Sequence, residues 1–227
     1  MEIEYTIKRS DRRRKLTITV ERDCEVVVHA PSKTSDEVIA QVVNEKKQWI
    51  YSKLTHPQKY QAEPHPPGKE LVSGESALYL GRNYRIELVD SDSNEVTFDH
   101  KFLIPRSRNT QRKEVLREWY IDRAKAKILP RVIRQARELG VTYGKAKIVD
   151  NRYRWGSCTV KDNVNFNWRL IKAPMNVIDY VIAHELAHLL EGNHTPRFWS
   201  IVRTQTTTMD KAKTWLKEHG QILESDI

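Results

Sequence analysis

The first fifty-five residues alternate short apolar runs with polar breaks, a pattern typical of β-strands with one helix. Residues 1 to 8 alternate polar and apolar side chains and predict a first strand. Leu16–Val20 and Glu25–His29 are β-rich runs separated by a mostly charged tetrapeptide, which indicates a hairpin. A helix is predicted after Ser35, because two acidic residues follow it and apolar residues then recur at a helical period.

A proline-rich segment and more β-like stretches come next. Residues 55 to 70 contain four prolines and predict a loop or linker. Three β-like stretches follow this segment: Ala77–Leu80, Tyr84–Val89 and Glu95–Ile104, the last with a turn near Asp99.

The pattern becomes helical after residue 107. Thr110 to Leu139 is predicted to be a helix that stops at Gly140 and is kinked or split at Pro130. Three short strands are predicted next, over Ala146–Val149, Arg154–Thr159 and Asn163–Leu170. A second helical block begins near Asn176. The predicted fold class is therefore α+β, with a β-rich domain over 1–107 and a second domain over 108–227.

Composition narrows the class of protein. The chain has 227 residues, enough for a substantial core, and its formal net charge is +9. Its two cysteines are too few for a disulfide scaffold, and no stretch predicts a signal peptide or a membrane span, so we expect a cytoplasmic protein. The positive charge raises nucleic acid as a possible partner, although charge alone identifies no site.

The strongest chemical signal lies in the second helical block. His184 and His188 are four residues apart, so a helix places both imidazoles on one face, within reach of one metal ion. Asn176 could cap this helix and Gly192 could end it. His194 follows after the predicted turn and could supply a third ligand.

Three protein ligands leave one position open, which is typical of catalytic zinc. Zinc lowers the pKa of its bound water to about 7, and Glu185, beside the first histidine, could then act as general base. The sequence predicts a Zn²⁺-dependent hydrolase. Thr195 and Pro196 suit the cap and first position of the next helix, which would fix His194.

Several motifs resemble one known family, the YgjP-like metal-dependent hydrolases, which are zincin-type proteins related to the SprT-like and WLM metalloproteases. The resemblance rests on Arg154–Cys158, Asn167–Leu170, Ala173–Pro174 and His184–Trp199. It implies a zincin-like fold and a protein or peptide substrate. It also implies that a strand above the metal-binding helix pairs with an extended peptide; here that strand would be 154–159 or 163–170.

The residues around this motif have less specific roles. We expect Trp155 and Trp168 to pack in the core, and Cys158 to be a small buried residue rather than a nucleophile. Tyr153, Arg154 and Tyr180 are open candidates for stabilising the transition state, and the substrate-binding residues remain unknown.

Three other functions compete with peptide hydrolysis. Some endoribonucleases place three histidines at this spacing, so cleavage of RNA or another phosphodiester is an alternative, but they lack the glutamate after the first histidine. A DNA-associated protease would use the basic surface for docking. A purely structural zinc would leave Glu185 unexplained.

Overall fold

The chain forms two compact units, residues 1–66 and 67–227. The computed structural model describes residues 3–20, 24–55, 70–151 and 154–224. The proline-rich segment predicted to be a loop lies, except for its two ends, outside the described residues, as do residues 21–23 of the predicted hairpin turn. The described elements are a mixture of helices and small sheets, and the predicted α+β class is confirmed.

The first unit is a three-stranded sheet with two helices. Its strands are β1 (Thr6–Ser10), β2 (Thr17–Val20) and β3 (Val26–Pro31), and its helices are α1 (Asp36–Glu45) and α2 (Lys47–Leu54). Strand β3 is central, parallel to β1 and antiparallel to β2, so the predicted hairpin is present. A small core buries the side chains of Val26, Val28, Ala30, Ile39, Val43 and Ile50.

The second unit begins with a four-stranded sheet. Its strands are β4 (Ser76–Tyr79), β5 (Arg82–Val89), β6 (Thr97–Phe98) and β7 (Phe102–Pro105), in the order β4-β5-β7-β6. The sheet shares one core with the helices that follow, and the Tyr120 hydroxyl donates a 2.7 Å hydrogen bond to the Leu78 carbonyl. The boundary between the two compact units therefore lies at residues 66 and 67, well before residue 107. The division of the chain into domains at residue 107 stays a prediction.

Helix α3 (Arg112–Leu139) runs along the core without a break and ends as predicted at Gly140, whose φ of 69° is left-handed. Of the predicted kink or split at Pro130, the split is absent, and a kink there stays a prediction. Pro130 is exposed, and Ile128 and Val132 on either side of it are fully buried, so packing of both halves favours a continuous helix.

A second small sheet carries the strands nearest the candidate site. Strand β10 (Val164–Asn167) is central, parallel to β8 (Ala146–Val149) and antiparallel to β9 (Gly156–Cys158). A 3-10 helix over Trp168–Lys172 replaces the end of the strand predicted to reach Leu170.

Three helices complete the unit: α4 (Met175–Ala187), α5 (Pro196–Gln205) and α6 (Met209–Glu224). None of the helices in the described ranges combines the length and apolarity that crossing a membrane requires.

Candidate metal centre

Helix α4 carries two of the predicted ligands through the centre of the unit. Nine of its thirteen residues are buried, and its apolar side chains face neighbours on all sides. The helix begins at Met175 after Pro174, so the prediction that Asn176 caps it was wrong. Pro174 has no backbone N–H and so adds no unsatisfied donor at this end of the helix. His184 and His188 lie one turn apart, with ring centroids 5.0 Å apart.

His194 joins them from the segment after the helix. Its ring centroid lies 5.0 Å from that of His184 and 4.9 Å from that of His188. Each ring offers one nitrogen, and the three nitrogens lie within 4.8 Å of one another. The Nε2 atoms of His194 and His184 are 3.1 Å apart. The structure therefore brings the three predicted histidines together.

Local structure fixes the direction from which His194 arrives. The Thr195 hydroxyl accepts a 3.3 Å hydrogen bond from the backbone N–H of Phe198, and Pro196 occupies the first turn of α5, as the sequence predicts. Gly192 has no such role: α4 ends at Ala187, and the φ of Gly192 lies outside the left-handed region. A turn that residues other than glycine can adopt carries the chain to His194.

The surroundings of His184 and His188 favour neutral imidazole, the form that binds a metal. Burial, with the adjacent His188 and His194, lowers the pKa of His184 to about 3. Burial also lowers the pKa of His188, despite the Glu191 carbonyl oxygen 3.3 Å from its Nδ1. That carbonyl fixes the orientation of the His188 ring. Three imidazole nitrogens that converge on one point fit a divalent metal ion.

Glu185 lies on the same helix and points away from solvent, with only 6% of its surface exposed. Burial raises its pKa to about 7, although the charge of Arg154 and a hydrogen bond from the backbone of Cys158 both act to lower it. A carboxyl group with this pKa can accept and release a proton near neutrality. Arg154 and the nearby Tyr180 both interact electrostatically with Glu185.

Strand β9 passes so close to Glu185 that only glycine fits at one position. A Cβ atom on Gly156 would lie 2.6 Å from both Cγ and Oε1 of Glu185, and 2.8 Å from its Cδ. Real Cβ atoms do not approach other atoms this closely, and the buried carboxylate has little space to move. Gly156 therefore fixes the distance between the strand and the carboxylate.

This close approach gives a direct prediction. Gly156→Ala should displace Glu185 while leaving the histidines in place, so we expect catalysis to fall by about 10²-fold, as for a catalytic group misplaced by about 1 Å, with metal content unchanged. Gly220→Ala is the control, because its Cβ would meet only Trp155, at an ordinary 3.6 Å. Metal analysis and peptide turnover, measured on both variants, check the prediction; equal turnover would contradict it.

Asn167 is a residue of this region that the sequence alone did not single out as functional. It is buried; its backbone N–H donates to the Trp155 carbonyl at 2.8 Å, and its side-chain amide donates to the carbonyls of Asn151 and Arg154. Its side-chain oxygen accepts from the Arg169 N–H at 3.0 Å. These bonds hold the chain that leads into β9, and hence Gly156. The signal in the sequence was an asparagine at the end of β10, directly before Trp168.

The other residues considered in the sequence are two tryptophans, a cysteine and a tyrosine. Trp168 is buried in the core, and Trp155 is partly exposed but packs against the same core, as expected. Cys158 is only half-buried, so the prediction of a buried cysteine was wrong, because β9 lies at an edge of its sheet. Tyr153 lies outside the described residues.

Similarity to known proteins identifies the family of this chain. No curated protein matches the chain in sequence. The chain is similar to a solved structure, the metallopeptidase zymogen abylysin of Pyrococcus abyssi, with 17% identity and a TM-score of 0.38. That overlap covers 44% of this chain and 98% of abylysin. The family model described as "YgjP-like, metallopeptidase domain" matches residues 14–219, and with most of its length matched the chain belongs to the YgjP-like metallopeptidase family.

Proposed function

We propose that this metal-dependent hydrolase is a zinc peptidase in which His184, His188 and His194 hold the ion and Glu185 is the general base. The observation that carries the proposal is the pairing, on one buried helix, of converging imidazoles with a shielded carboxylate. Three imidazole ligands suit zinc and leave a coordination position for chemistry.

The protein's own groups would perform the proton transfers. When bound, zinc supplies Lewis acidity, which polarises a carbonyl and makes water acidic enough to react near neutral pH. The Glu185 carboxylate would accept the proton of the attacking water and deliver it to the departing amine nitrogen. Its burial keeps bulk water from competing for that proton, and Gly156 keeps it in position.

Strand β9 is the better of the two candidate strands for binding an extended peptide. Strand β10 is paired on both sides, by β8 and by β9. Within the described ranges β9 pairs only with β10, so its outer main-chain groups, apart from the Cys158 N–H that donates to Glu185, remain for a substrate. Because Gly156 of this strand faces Glu185, a peptide added at its edge would lie next to the proposed base.

The experiment that tests the function combines metal analysis with a peptide-library screen. We expect the purified full chain to contain about one zinc ion and to cleave members of the library, with activity lost to a chelator and restored by zinc. Cleavage that is indifferent to chelation, or cleavage of RNA and not of peptides, would refute the proposal. Family membership and Glu185 both favour peptides over phosphodiesters.

A further inference from the structure

We infer that Lys213 forms a carboxylate-binding subsite beside the metal centre, so that the enzyme prefers a negatively charged group near the bond it cleaves. The inference rests on the proposed peptidase function and adds the substrate class to it. A carboxylate of the substrate could come from an Asp or Glu side chain or from a chain terminus, and the same ammonium group would bind either.

The ammonium group of Lys213 lies close to the proposed metal ligands. Lys213 lies in α6, and its Nζ is 4.4 Å from the centroid of the Trp199 ring, a cation–π contact. The Trp199 ring stacks in turn on His194, with centroids 5.6 Å apart and planes 24° apart. The distance from the Lys213 Nζ to the centroid of the His194 ring is therefore at most the sum of these two distances.

The Lys213 ammonium has no acidic partner in the part of the chain that the structure describes. Among the described residues, no carboxylate oxygen lies within the 4.0 Å of an ion pair to Lys213, although Asp210 is only three positions earlier on the helix. Lys213 is also exposed, so a ligand can reach it. An exposed cation that has no acidic partner, and whose side chain is held in one region, can bind an incoming anion with little rearrangement.

A substrate held at the metal centre can reach the Lys213 ammonium. The Trp199 ring that contacts this ammonium also stacks on His194, one of the proposed metal ligands. Extended peptides rise about 3.4 Å per residue, so an acidic side chain one or two residues from the cleaved bond could span the gap.

The Trp199 ring explains why a lysine can serve here. A free lysine side chain samples many rotamers, and ordering it on binding opposes affinity. The cation–π contact with an aromatic ring that itself stacks on His194 holds the side chain in one region beforehand.

The test measures binding separately from turnover. The full-length Glu185→Gln variant, loaded with zinc, is titrated with short fluorescent peptides that differ only in having Glu, Gln or Lys at one position. A second set carries a free carboxylate or an amide at the C-terminus. We expect the best-placed Glu peptide to bind about three- to fivefold more tightly than its Gln counterpart, the scale of an exposed ion pair.

Charge reversal at Lys213 then tests the assignment to this residue. Lys213→Glu, combined with Glu185→Gln, should reverse the preference, so that the Lys peptide binds more tightly than the Glu peptide. Lys211→Glu changes the same charge on an exposed residue two positions away, which faces another side of the helix, and should leave the preference unchanged. A preference that follows the C-terminal carboxylate also supports the subsite and identifies its ligand.

Three results would overturn the inference: equal binding of the Glu and Gln peptides, the same shift in Lys211→Glu as in Lys213→Glu, or no peptide binding at all. Turnover by the wild-type protein is measured in parallel on the same peptides. Hydrolysis without charge preference would overturn the subsite and leave the peptidase standing, whereas binding with preference but without hydrolysis would refute the peptidase and leave the subsite standing.

Discussion

Glu185→Gln should remove peptide hydrolysis while the protein retains about one zinc ion per chain. Glutamine has nearly the same shape as glutamate, so it can occupy the buried space against Gly156 without displacing β9. It cannot accept a proton, and the loss of a general base lowers rates by roughly 10²- to 10⁴-fold. The metal ligands are not altered, so zinc binding should persist. Turnover of a cleaved library peptide and metal analysis of the same sample measure both quantities.

The control for this variant is Glu118→Gln, which makes the same chemical change at an exposed position on α3. It should match the wild-type protein in turnover and metal content. Wild-type turnover in Glu185→Gln would remove this residue as the base. Loss of zinc from Glu185→Gln would show instead that the carboxylate supports the metal site.

His194→Ala should lose most of its affinity for zinc. Loss of an outer hydrogen-bond partner of a zinc ligand typically costs 10- to 100-fold in affinity, so loss of a ligand itself should cost more. His194 lies at the start of α5 and is exposed, so its removal should not disturb the buried helix that carries the other two histidines. Zinc titration against a competing chelator gives the affinity, and circular dichroism shows whether the fold is kept.

His219→Ala is the matched control, because His219 stacks on Trp215 in α6 and does not belong to the three-histidine cluster. Its zinc affinity should equal that of the wild type. If His194→Ala binds zinc as tightly as the wild type, the third ligand lies elsewhere in the chain.

The pattern of residues predicted the elements of the site better than their ends. The spacing of His184 and His188 placed both side chains on one face, because helical geometry is local and the apolar residues around them required burial. The Thr195 cap was equally predictable, since it depends on neighbours in sequence. Asn176 and Gly192 suggested ends for the same helix that it does not use, because packing against other elements overrode these local preferences.

Contacts between distant segments could not be predicted in this way. Nothing near Gly156 in sequence indicates that Glu185 lies against it, and the glycine there is explained only by an atom on another element. The same holds for Lys213, whose neighbour Trp199 belongs to a different helix. Pro130 shows the converse, since a strong local signal for a break was overridden by buried residues on both sides.

The length of strand β9 has a consequence for the protein's own association. An open sheet edge that can accept a substrate can also accept the edge of another molecule, which is a common route to aggregation. Strand β9 spans only three residues and begins with glycine. So short an edge offers too few main-chain groups to nucleate a stable intermolecular sheet, yet it can still guide one extended peptide that is also held elsewhere. A variant with a longer β9 is therefore expected to aggregate before it binds substrate more tightly.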